Sequence, residues 1–96
     1  MNRDKVKNYL GICRKAGYLI IGADSLKKYD KKMYLLLVDS EVSKTLQKII
    51  DRFNQKNIEC LLVDNLNQLI DIENCKIVGV KNNGLALEII KNIRGE

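Results

Sequence analysis

Met33-Tyr34-Leu35-Leu36-Leu37-Val38-Asp39-Ser40 is the stretch on which the fold turns. Its apolar part, Met33 to Val38, is continuous and bounded by polar residues. A half-exposed strand would alternate apolar and polar side chains. An unbroken run predicts a strand buried on both faces, of the kind that needs helices above and below it. The purely aliphatic piece, Leu35 to Val38, is far too short to cross a bilayer.

Helices and strands then alternate on either side of this run. Asp39 and Ser40 offer an N-cap for a long helix to about Lys56, with an apolar stripe of Val42, Leu46, Ile49, Ile50 and Phe53. Ile58–Val63 reads as the next strand. Asn65 is placed to cap a short helix to about Ile70, and Lys76–Val80 reads as the last strand. Asn82 or Asn83 opens a closing helix with Ala86, Ile89, Ile90 and Ile93 on one face. Upstream, Asp4–Ala16 has helical spacing in Val6, Leu10 and Cys13, and Gly17 fits a helix stop. Tyr18–Ile21 reads as a short strand, and Ala23–Tyr29 as a helix with Asp24 or Ser25 available as its cap. The order αβαβαβαβα predicts a mixed or mostly parallel four-stranded sheet in a three-layer α/β/α sandwich. The chain of 96 residues suits one domain, spanning 1–96.

The composition excludes several function classes. Three scattered cysteines, Cys13, Cys60 and Cys75, and no histidine argue against a disulfide framework or a zinc site. The commonest general base is missing, and no nucleophile stands beside a base. No phosphate-binding glycine loop is present. The reading is a non-enzymatic protein without a cofactor. The polar, charged N-terminus reads as no signal peptide, which makes the cytoplasm the expected location.

Charge distribution adds a positive clue. The net charge is +5. Residues 1–32 hold nine Lys or Arg and three Asp, a net +6, while residues 33–96 hold eight basic and nine acidic side chains, a net −1. A positive field concentrated in one third of the chain attracts phosphate backbones.

Within that third, Gly22–Lys28 runs from a strand end into a helix start. Free N–H groups there suit a phosphate or a base edge, and Lys27 and Lys28 follow one turn in. A plain solvated helix is the competing reading. Arg14 and Lys15 close the first helix, where they equally serve to complement its dipole. Lys44, Lys48, Arg52 and Lys56 form an i, i+4 row, read as the solvated face of the long helix. Tyr9, Tyr18, Tyr29, Tyr34 and Phe53 do not interleave with basic residues as base-stacking platforms do.

The segment from Tyr9 to Gly22, YLGICRKAGYLIIG, resembles the opening of bacterial YlxQ-type proteins. These belong to the ribosomal protein L-seven-Ae and L-thirty-e superfamily. Val78–Ala86, VGVKNNGLA, is similar to that family's last strand and its turn into the final helix. The resemblance covers the whole chain and implies the same sandwich. It also implies binding of structured RNA, typically a kink-turn, in ribosomal or other ribonucleoprotein particles. In such proteins a glycine ends the first strand, Asn and Glu follow at two and three positions and Lys at six, and a loop before the last strand touches a flipped-out nucleotide. On this chain the glycine is Gly22 and the lysine Lys28, while Asp24 and Ser25 stand at the Asn and Glu positions. The loop corresponds to Asp71–Cys75, with Ile72, Glu73 and Asn74. The expected RNA-binding set is Arg14, Lys15, Gly22, Ala23, Asp24, Ser25, Lys27, Lys28, Ile72, Glu73 and Asn74. The competing function is a protein–protein interaction module of the same fold, with kink-turn binding reduced or lost.

Overall fold

The computed structural model describes residues 1–95 and orders them as α1 (Arg3–Lys15), β1 (Leu19–Ile21), α2 (Ala23–Lys28), β2 (Leu35–Asp39), α3 (Lys44–Asn54), β3 (Glu59–Val63), α4 (Leu66–Ile70), β4 (Ile77–Val80) and α5 (Asn83–Arg94). The order αβαβαβαβα holds. Every residue of β2 is buried, as its unbroken apolar pattern requires.

The sheet runs β1-β4-β2-β3. β2 pairs parallel with β3, while β4 lies antiparallel to both β1 and β2. The sheet is therefore mixed, and the mostly parallel alternative does not hold. Alternate residues point to opposite faces. Leu35, Leu37, Val78 and Val80 pack with Val6 and Leu10 of α1, Leu66 and Leu69 of α4 and Ile89 of α5. Leu36, Val38 and Ile77 face the other way, against Leu26 of α2 and Leu46, Ile49 and Phe53 of α3. Helices thus cover both faces, giving three layers. Gly79 opens the second face: a Cβ there would lie 2.5 Å from Met33 Cε and 3.1 Å from Leu26 Cδ2.

Helix ends correct four details of the sequence reading. α3 starts late, capped by Ser43, whose hydroxyl accepts from the Leu46 N–H at 3.2 Å, and it ends at Asn54. Asp39 belongs to β2 and caps a different helix. Its Oδ2 accepts from the Leu66 N–H of α4 at 3.1 Å, and its Oδ1 from the Glu41 N–H at 3.0 Å. Asn65, in left-handed backbone at φ 52°, makes no side-chain cap bond. Neither Asp24 nor Ser25 caps α2, whose N-cap is Gly22. By contrast Asn82 does cap α5, accepting from the Leu85 N–H at 2.9 Å. α1 closes as expected at Gly17, with Tyr18 N–H bonded to Cys13 O and Gly17 N–H to Arg14 O, the bond pair of a Schellman stop.

Candidate nucleic-acid interface

The topology gathers three distant segments at one end of the sheet. β1 and β2 both finish where the antiparallel β4 begins, since Ile21 faces Val78 and Val38 faces Ile77. Two backbone bonds close this end: Gly22 N–H donates to Ile77 O at 3.0 Å, and Asp39 N–H to Lys76 O at 2.8 Å. The loop before β4 is thereby laid between the start of α2 and the start of α3.

A groove of about 440 Å³ lies among these segments. Gly22 and Ala23 form one side, Ser43, Thr45 and Leu46 the second, and the run Ile72–Ile77 the third. Its volume falls in the range of roughly 300–1,000 Å³ usual for small-ligand sites. Gly22 has φ +90° and ψ 157°, backbone that side-chain-bearing residues rarely adopt, although a Cβ there would meet nothing within 4 Å. The turn into α2 therefore requires glycine for its geometry and not for space. Asp71 and Asn74, both at φ 59°, turn the opposing loop, and Ile72 is half-buried, packed against the α1/α4/α5 cluster. Its backbone N–H is held by Asn67 O at 3.2 Å.

The groove itself is not strongly basic. Lys76 borders it, but its ammonium lies 3.9 Å from Asp39 Oδ1 and 3.7 Å from Glu41 Oε2, and Glu73 adds an exposed carboxylate. Cations gather just outside. Lys27 and Lys48 flank a smaller hollow of about 270 Å³ that shares Thr45 with the groove. Arg52, read from the sequence as part of a solvated row, is instead half-buried. Its Nη1 donates to Lys27 O at 2.6 Å and its Nη2 to Tyr29 O, which staples the end of α2 onto α3.

The expected site residues divide into three groups. Gly22, Ala23, Ile72, Glu73 and Asn74 meet at the groove. Asp24, Ser25, Lys27 and Lys28 are exposed on α2 beside it. Arg14 and Lys15 lie elsewhere, on a hollow formed with α1 and the end of α4 that reaches Asp71. Arg14 also has a structural contact, its Nη1 donating to Ile70 O at 3.4 Å. Sequence reasoning missed the wall supplied by Ser43, Thr45 and Leu46. The signal was Ser43 three residues before Leu46, obscured by the equally good cap candidates Asp39 and Ser40.

Among the described residues no three His, Cys, Asp or Glu side chains converge as metal ligands do. Burial raises the thiol pKa of Cys13 and Cys75, and pushes that of Cys60 up to about 11. Raised thiols make poor nucleophiles at neutral pH. Among the described residues no helix is long and apolar enough to cross a membrane.

No family model and no curated protein matches the chain. Among solved structures it is similar to a protein with unknown function from Bacillus halodurans C, at 21% identity and a TM-score of 0.78, over 94% of this chain and 97% of that one. That likeness extends over the full α/β/α arrangement and speaks to the fold alone.

Proposed function

We propose that the protein is a non-enzymatic, cytoplasmic RNA-binding protein that takes structured RNA, of kink-turn type, at the groove between Gly22–Ala23 and Ile72–Asn74. The observation that carries the reading is the meeting of these two segments. They are about fifty residues apart in the chain, and they are the two that the resemblance to the L-seven-Ae and L-thirty-e superfamily marks for RNA contact. The groove has room and apolar wall for one extruded nucleobase, against Ile72 and Leu46. Lys27 and Lys28 stand outside it, where a backbone entering the groove passes. Ribosomal RNA or another structured non-coding RNA fits this chemistry.

Binding is tested by titrating the protein with a kink-turn RNA, and with ribosomal RNA, across a range of salt concentrations. The logarithm of affinity should fall linearly with that of salt, and Lys28→Ala should lower affinity and reduce the slope by about 0.7–0.9, one phosphate contact. If neither RNA binds the folded protein at low salt, the reading is wrong.

A further inference from the structure

We propose that the outer face of α1 is a second RNA-contacting surface, which grips the phosphodiester backbone of the helix flanking the bound nucleotide. The proposal rests on the RNA reading above and extends it to a face of the molecule that the groove does not use.

Three observations carry it. The first is shape. A hollow of about 990 Å³ lies along α1 and the end of α4, and its rim at Asp71 is the first residue of the 71–75 loop, whose remaining residues wall the groove. One loop therefore separates the two surfaces, and an RNA seated in the groove need cross only that loop to reach this hollow.

The second observation is charge. Lys5, Lys7, Arg14 and Lys15 surround the hollow. Among the described residues none of them is in an ion pair, the ion pairs being those of Lys76 with Asp39 and Glu41 and of Arg94 with Glu59. Arg14 bonds a neutral carbonyl, which leaves its charge uncompensated. The acidic groups nearby are Asp71 on the rim and Asp4 in the first turn of α1. The groove has the reverse balance, with its one bordering cation held by two carboxylates. Positive charge of the kind a phosphate backbone needs, in no ion pair among the described residues, is thus present on α1 as it is on α2 at Lys27 and Lys28.

The third is Gly11, midway along α1 and on the wall of the hollow. It is exposed, its φ is not positive, and an added Cβ would meet nothing within 4 Å. Neither packing nor backbone geometry asks for glycine, and alanine would make a better helix. What the missing side chain provides is a low point at which another backbone can approach closely. Ile12, 51% exposed beside it, offers apolar surface to a ribose.

The test uses the full chain, a kink-turn RNA and a plain duplex of equal length. Lys5→Gln with Lys15→Gln removes two exposed cations without touching the Arg14 bond. This double variant should bind the kink-turn RNA at least tenfold more weakly at low salt, with the salt slope reduced by about 1.4–1.8, as two lost phosphate contacts require. Its preference for the kink-turn over the duplex should be unchanged. Gly11→Ala should raise the melting temperature and yet weaken RNA binding. If wild type binds and both variants match its affinity and slope, this proposal is overturned while the groove reading stands. If folded wild type binds neither RNA, both fall.

Discussion

Asp39 is the one buried polar or charged residue among those described, at 4% exposure. Its carboxylate holds the Leu66 and Glu41 N–H groups and faces the Lys76 ammonium, so a single side chain ties β2, α4 and the loop before β4 together. Asp39→Ala leaves the buried Leu66 N–H without an acceptor and should cost about 1–3 kcal/mol. Asp39→Asn keeps an oxygen acceptor and should lose less. Urea unfolding of the two variants checks this, and equal stability of Asp39→Ala and wild type would contradict it. Asp24 matters in a different way. It is exposed in the first turn of α2, at the position for which the resemblance to kink-turn binders implies an asparagine. A carboxylate accepts hydrogen bonds but cannot donate one to a base edge, and it repels phosphate. Asp24→Asn should therefore tighten kink-turn RNA binding by about tenfold, within the 1–3 kcal/mol typical of a base-edge contact. Affinity unchanged or weakened would show that this side chain does not face the RNA.

At the scale of elements, the strands and helices were legible where the apolar pattern was long. β2 showed its two-sided burial in Leu35–Val38, and α1 showed both its stripe and its stop at Gly17. The N-caps of α2, α3 and α4 were not legible, although Asn82 was rightly placed at the start of α5. Asp39, Ser40 and Ser43 are all competent N-cap residues, but distant partners engage the first two, the Leu66 N–H holding Asp39 and the Asp64 carboxylate accepting from the Ser40 hydroxyl, which leaves α3 to Ser43. Arg52 escaped for the same reason, because its partners are the carbonyls of Lys27 and Tyr29, 25 and 23 residues away. Gly79 is an element-scale feature as well, since its missing side chain admits Met33 and Leu26 against β4. Gly79→Ala must displace packed side chains and should destabilise by about 1–3 kcal/mol. The expected signature is a lower denaturant midpoint with an unchanged m-value. A midpoint at or above wild type would show that Met33 moves aside at no cost.

Across the whole molecule, the sheet order β1-β4-β2-β3 does what no local pattern revealed. It inserts β4 between β1 and β2, so that the loop before β4 faces the starts of α2 and α3. The candidate site was half legible. Its Gly22–Ala23 wall was read from residues along the chain and its Ile72–Asn74 wall was implied by the family resemblance, whereas the α3 wall, and the separation of Arg14 and Lys15 from the groove, arise from packing alone. The concentration of positive charge in residues 1–32 takes its meaning at this scale, since that segment contributes the cations of α1 and α2 on two sides of one loop. The most direct test of RNA binding at the groove is to follow backbone amide NMR resonances while a kink-turn RNA is added at low salt. The account predicts the largest shifts at Gly22–Ser25, Ser43–Leu46 and Ile72–Asn74. An absence of shifts, or shifts confined to β3 on the opposite edge of the sheet, would contradict it.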